Sequence, residues 1–146
     1  MPTSNGLWLR MVRVLPARRP AVWRAMTDPE KLAKWWGPKG FTAPSVDFKP
    51  RVGGSFRIAM QPPGGALFHL LGDFREVAPP SRLRYTFMWD PPDPDDRETV
   101  VTLSLQDSGE QTEVHLTQGE FTTRERLELH ENGWRESLEK LEAFLA

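Results

Sequence analysis

Along this chain the spacing of apolar residues alternates between the two-residue period of strands and the three-to-four-residue period of helices. Leu7 to Val14 sets Leu7, Leu9 and Met11 against Trp8, Arg10 and Val12, which predicts a first strand ended by Pro16. From Arg19 to Met26 the spacing turns helical, with Pro20 suited to a first turn. Thr27-Asp28-Pro29 stops that helix and starts a second, Glu30 to Trp36, because Asp28 can cap and Pro29 fits the first helical position. Gly37-Pro38-Lys39-Gly40 closes it. Strand signals then dominate: Phe41 to Phe48, Ser55 to Met60, Ala66 to Val77, Ser81 to Trp89, Glu98 to Gln106 and Glu110 to Gly119. Glycine and proline punctuate them at Gly53-Gly54, Pro62 to Gly65, Pro79-Pro80 and Asp107-Ser108-Gly109. At the end Leu127, His130, Trp134, Leu138, Leu141 and Leu145 form one helical stripe, with Thr122 or Thr123 as its cap. Gly133 lies inside this helix at a cost of about 1 kcal/mol relative to alanine. It would let the sheet or a ligand come close beside Trp134.

Strands joined by short loops, each with one apolar face, predict an α+β fold. A curved antiparallel sheet of about six or seven strands wraps round a long C-terminal helix, and two short helices follow the first strand. The 146 residues fit one domain spanning 1–146. With 19 basic and 20 acidic side chains the net charge is −1, which argues against a nucleic-acid binder. There is no cysteine, hence no disulfide framework, thiol catalysis or cysteine metal site. Met1 to Gly6 carries no signal-peptide pattern, and no apolar run reaches membrane-spanning length. A cytoplasmic location is the expectation.

The order of motifs carries a resemblance. Arg19-Pro20-Ala21-Val22-Trp23-Arg24-Ala25, Thr27-Asp28-Pro29-Glu30, Trp35-Trp36-Gly37-Pro38, Gly53-Gly54-Ser55-Phe56-Arg57, Gly72-Asp73-Phe74-Arg75-Glu76-Val77, Pro79-Pro80-Ser81-Arg82-Leu83 and His130-Glu131-Asn132-Gly133-Trp134 follow one another over nearly the whole chain. Together they resemble the homologues of the activator of heat-shock-protein-90 ATPase. That family is part of the SRPBCC (START and birch-pollen-allergen-like) superfamily. The resemblance implies the helix-grip fold. It implies three functional classes: carriage of a small hydrophobic ligand, cyclase or hydrolase chemistry, and a stress-response interaction with a chaperone. The eukaryotic co-chaperone has an additional N-terminal domain, whereas this chain opens on the first grip strand, so direct activation of the heat-shock ATPase is not expected.

The residues themselves point to a pocket between sheet and helix. Phe56, Ile58, Met60, Tyr85, Phe87, Trp89 and Leu103 on strands would face Leu127, His130 and Trp134 on the terminal helix. Trp35 and Trp36 either roof an entrance or pin the short helices to the sheet. The expected ligand-binding set is therefore Trp36, Phe56, Ile58, Met60, Tyr85, Phe87, Trp89, Leu103, Leu127, His130 and Trp134. His130 is its foremost polar member, and Tyr85 is a second acid–base candidate. Arg57, His69 and His115 read as outer-face residues, and Arg124-Glu125-Arg126 as a solvated helix face. No metal-ligand spacing, serine elbow or phosphate loop is present, and the one conceivable carboxylate pair, Asp73 and Glu76, falls on opposite strand faces, which argues against joint work. No catalytic residue or cofactor is assigned. A homodimer through an outer surface is compatible with the pattern.

Overall fold

The computed structural model describes residues 6–146. Residues 1–5, read above as free of a targeting signal, lie outside the described residues. The elements run β1 (Leu7–Leu15), α1 (Arg19–Thr27), α2 (Pro29–Trp35), β2 (Thr42–Phe48), β3 (Ser55–Gln61), β4 (Phe68–Ala78), β5 (Arg82–Asp90), β6 (Thr99–Ser108), β7 (Gln111–Phe121) and α3 (Arg124–Leu145). The strands form one seven-stranded sheet in the order β1-β7-β6-β5-β4-β3-β2. Every neighbouring pair is antiparallel. The sheet curves round α3 in the helix-grip arrangement.

Local chemistry sets the boundaries. The Asp28 side chain accepts the Glu30 backbone N–H at 2.9 Å, and Pro29 opens α2. The cap of α3 is Thr123, which accepts from the Arg126 N–H at 3.1 Å. Thr122 instead donates to the Asp95 carbonyl. The β6–β7 loop is the two residues Gly109-Glu110, one position later than the sequence suggests, because Ser108 pairs with Gln111. Gly109 takes φ +66° at the first central position, where a side chain would be strained. Strand β4 begins at Phe68 rather than Ala66, and Ala66 and Leu67 are exposed loop residues.

Two buried features fix the helices in place. Trp35 donates its indole N–H to the Ala25 carbonyl at 2.8 Å and ties α2 to α1. Trp134 on α3 donates to Gln118 Oε1 at 2.7 Å, and Gln118 Nε2 donates to Thr99 Oγ1 at 2.9 Å. This buried chain fixes the register of α3 against β7 and β6. Helix α3 packs on β1, β7, α1 and α2. Between it and the β3–β5 half of the sheet a space remains.

Candidate functional site

That space is a cavity of about 350 Å³. Its walls come from four places. The α2–β2 loop contributes Trp36, Gly37, Pro38 and Phe41. The sheet contributes Met60, Phe68, Phe87 and Trp89. The β5–β6 loop contributes Pro91, Asp93 and Asp96, and α3 contributes Arg126, Leu129, His130, Gly133, Trp134 and Ser137. The six aromatic side chains touch in sequence. Phe41 meets Phe68 at 6.2 Å between ring centroids, and Phe68 meets Trp89 at 5.3 Å. Trp89 meets Phe87 at 5.0 Å, Phe87 meets Trp134 at 6.5 Å, and Trp134 meets Trp36 at 5.5 Å. Most of these pairs are edge-to-face, the geometry that ring quadrupoles favour.

Six of the eleven residues expected from sequence line this cavity: Trp36, Met60, Phe87, Trp89, His130 and Trp134. Phe56, Ile58, Tyr85, Leu103 and Leu127 do not; they lie in the packed core. The reason is position along each element. Phe56 precedes Met60 by four residues on β3, and Tyr85 precedes Trp89 by four on β5, a displacement of ~13 Å along a strand. There Phe48 and Phe74 fill the space, with Phe56 5.3 Å from Phe48 and 5.1 Å from Tyr85. Burial pushes the Tyr85 phenol far above its usual range, so it stays neutral. It is a core residue away from the cavity and supplies no proton there. Leu103 pairs with Leu83 and Leu116 in the middle of the sheet. On α3 the cavity side follows Arg126, His130, Gly133 and Ser137, which rotates Leu127 toward the core.

Trp36 roofs the cavity while Trp35 pins the helices, so the two sequence readings divide between the neighbours. Gly133 does border the cavity: a Cβ there would meet Pro38 Cγ at 3.6 Å, an ordinary contact. Arg126 corrects the solvated-face reading. Its side chain is only 14% exposed and pairs with Asp96, itself 4% exposed, and with Asp93. Arg126 Nε lies 3.1 Å from Asp96 and Nη2 lies 3.1 Å from Asp93. This pair ties the proline-rich β5–β6 loop to the start of α3. At the other end Lys140 Nζ donates to the carbonyls of Gly37 and Phe41 at 3.1 and 3.2 Å and lies within 3.5 Å of those of Trp36 and Pro38. Burial pulls the Lys140 pKa down, and Glu136 acts against that shift. The acidic run Asp93 to Asp96 facing an arginine in a first helical turn was the available signal for the first tie. Carbonyl ligation by Lys140 leaves no side-chain pattern to find.

His130 is fully committed. Trp89 Nε1 donates to His130 Nε2 at 2.9 Å, which makes Nδ1 the protonated nitrogen. His130 Nδ1 lies 2.7 Å from the Arg126 carbonyl, to which it donates. Burial lowers the His130 pKa, the Arg126 carbonyl and Asp96 raise it, and the Arg126 charge lowers it, for a net decrease. The unfolded chain therefore holds the extra proton between the ordinary histidine value of about 6.5 and the lower folded value. His130's contribution to stability is complete above that ordinary value and is lost as pH falls through it. Thermal melts should show a fall in Tm between about pH 7 and pH 5 in the wild type that is reduced in His130→Gln. Equal slopes for both proteins would show that His130 does not carry the effect.

Asp73, Arg57 and Glu128 are exposed, and His115 pairs with Glu113 at 2.6 Å. Among the described residues no group of three or more histidine, cysteine, aspartate or glutamate side chains could hold a metal ion. Among them, no helix is long and apolar enough to cross a membrane.

Comparison with known structures finds the same fold in bacterial proteins. A Chromobacterium violaceum protein is 29% identical, with a TM-score of 0.83 over 94% of this chain and 96% of its own. A Nitrosomonas europaea protein is 27% identical, with a TM-score of 0.83 over 99% of this chain and 97% of its own. The AHSA1 protein of Silicibacter pomeroyi is 30% identical, with a TM-score of 0.81 over 93% of this chain and 95% of its own. Comparison with curated proteins finds no match. The family described as "Activator of Hsp90 ATPase homolog 1-like protein" matches residues 16–146. With its motif series, its seven-stranded grip and this match, the chain belongs to that family, within the SRPBCC superfamily.

Proposed function

We propose that this chain is a soluble, cytoplasmic binding protein that holds a small hydrophobic molecule between β3–β5 and α3, without transforming it. The carrying observation is the aromatic cavity of about 350 Å³, within the size range of small-molecule sites. Its ionisable groups are already engaged with one another. His130 uses both ring nitrogens inside the protein, and Arg126 is paired with two aspartates. These pairings support binding rather than proton transfer. Burying about 300 Å² of ligand surface gains on the order of 7 kcal/mol gross before ordering costs, so area alone supports micromolar affinity at best.

Native mass spectrometry of protein purified from its own cells should reveal a co-purifying small molecule. The decisive variant is Gly133→Leu. The space beside Pro38 admits a Cβ, and the rest of the leucine would project into the cavity. The variant should remain folded and lose at least about tenfold in affinity for an apolar fluorophore such as phenylnaphthylamine, equivalent to ~1.4 kcal/mol. Undiminished binding by a folded Gly133→Leu protein would remove the cavity from consideration.

A further inference from the structure

We infer that the ligand is an uncharged, planar aromatic molecule of bicyclic size whose oxygen, a carbonyl or hydroxyl, is received by Trp36 and Ser137. This rests on the binding role proposed above and specifies its chemistry. Size comes first. An apolar cavity of ~150 Å³ accommodates benzene. The present cavity, at about 350 Å³, has room for a second fused ring. Shape follows from the walls, where six aromatic side chains in continuous contact present ring faces and edges. A flat ring system matches such walls by stacking and edge contacts better than a saturated skeleton of equal volume.

The polar groups decide the rest. Trp89 donates to His130, and Trp134 donates to Gln118. Arg126 gives Nε and Nη2 to Asp96 and Asp93, which leaves only Nη1, in a residue that is half-buried rather than buried. Two buried lining residues keep a side-chain donor that no described residue accepts: the indole N–H of Trp36 and the hydroxyl of Ser137. Serine inside a helix commonly bonds back to the carbonyl four residues earlier, and Ser137 makes no such bond. Both residues lie beside Trp134. Trp36 touches its ring, and Ser137 follows it by three residues on the same helix. Two unused donors in one neighbourhood fit an oxygen acceptor. The charged side chains at the rim, Arg126 with Asp93 and Asp96, sum to −1, so an anionic ligand would be desolvated without a free counter-charge. Aromatic walls also attract organic cations, but Asp96 is held by Arg126 and the remaining carboxylate, Asp93, is 71% exposed to solvent, where its charge is screened.

The test is calorimetric titration of the full chain with naphthol, naphthalene, decalinol, naphthoate and phenyltrimethylammonium. Wild type should bind naphthol about tenfold more tightly than naphthalene. It should also prefer naphthol over decalinol, naphthoate and the ammonium probe. In Ser137→Ala the advantage of naphthol over naphthalene should fall to about twofold, with naphthalene affinity and Tm unchanged. Trp36→Phe should reduce the same advantage while keeping the wall aromatic. Equal wild-type affinity for naphthol and naphthalene, an advantage retained in both variants, or a preference for a charged or saturated probe overturns this inference and leaves hydrophobic binding intact. Failure of every probe to bind the folded wild type overturns the binding role as well.

Discussion

Replacing Gly72 with alanine is expected to destabilise the protein by about 3 kcal/mol or more and to lower Tm by on the order of 10 °C. Gly72 is buried in β4, opposite Phe56 of β3. A Cβ there would lie 2.1 Å from the Thr86 carbonyl oxygen and 2.2 Å from the Phe56 ring. Neither neighbour has an easy retreat. Thr86 O belongs to the β5 backbone, and the Phe56 ring is held among Phe48, Phe74 and Tyr85 at 5.3, 5.7 and 5.1 Å. The added methyl must spread the β4–β5 pair or displace a locked aromatic cluster. Chemical denaturation of Gly72→Ala measures the cost. A loss below ~0.5 kcal/mol would mean that the sheet opens here far more readily than its packing indicates.

The second large effect belongs to Trp134. Trp134→Ala should cost about 4 kcal/mol, through lost burial and an incompletely filled void. It also strips the partner from Gln118 Oε1, in a residue that is 0% exposed. Trp134→Phe retains an aromatic wall but still orphans that oxygen, so it should cost about 2 kcal/mol. The difference separates ring volume from hydrogen bonding in denaturant melts. Equal costs for the two variants would show that the Trp134–Gln118–Thr99 chain dominates, and a negligible cost for phenylalanine would show that it contributes nothing.

These two residues also mark how far the sequence could be read. Alternation in β5 correctly put Leu83, Tyr85, Phe87 and Trp89 on one face, and helical spacing placed His130 and Trp134 opposite. Period-two spacing names a face but does not say where along the strand that face meets solid core and where it meets open space. Phe48 and Phe74 impose that limit: Phe74 pairs with Tyr85 across the β4–β5 hairpin, and Phe48 comes from β2, distant in sequence. Hence Phe56 and Tyr85 shared a pattern with Met60 and Trp89 but not their surroundings. The loop residues Phe41, Pro91 and Asp96 belong to the cavity through tertiary ties, above all those to Lys140 and Arg126. Such ties leave no periodic trace. The motif series supplied the fold because it compared order and spacing over the whole chain.

The first strand, finally, acquires its partner very late. Leu7 faces Phe121, and Leu15 faces Thr112. At ribosomal rates of ~5–20 residues per second, the residues between β1 and β7 take on the order of ten seconds to emerge. Throughout that interval β1 has none of its ladder bonds, while α1 and α2 can already form from local contacts. The exposed residues Val12 and Val14 would then sit on an unprotected strand edge. Completion of the sheet thus depends on a contact of high sequence separation, a topology that folds slowly. The nascent chain is most vulnerable to aggregation before β7 leaves the ribosome.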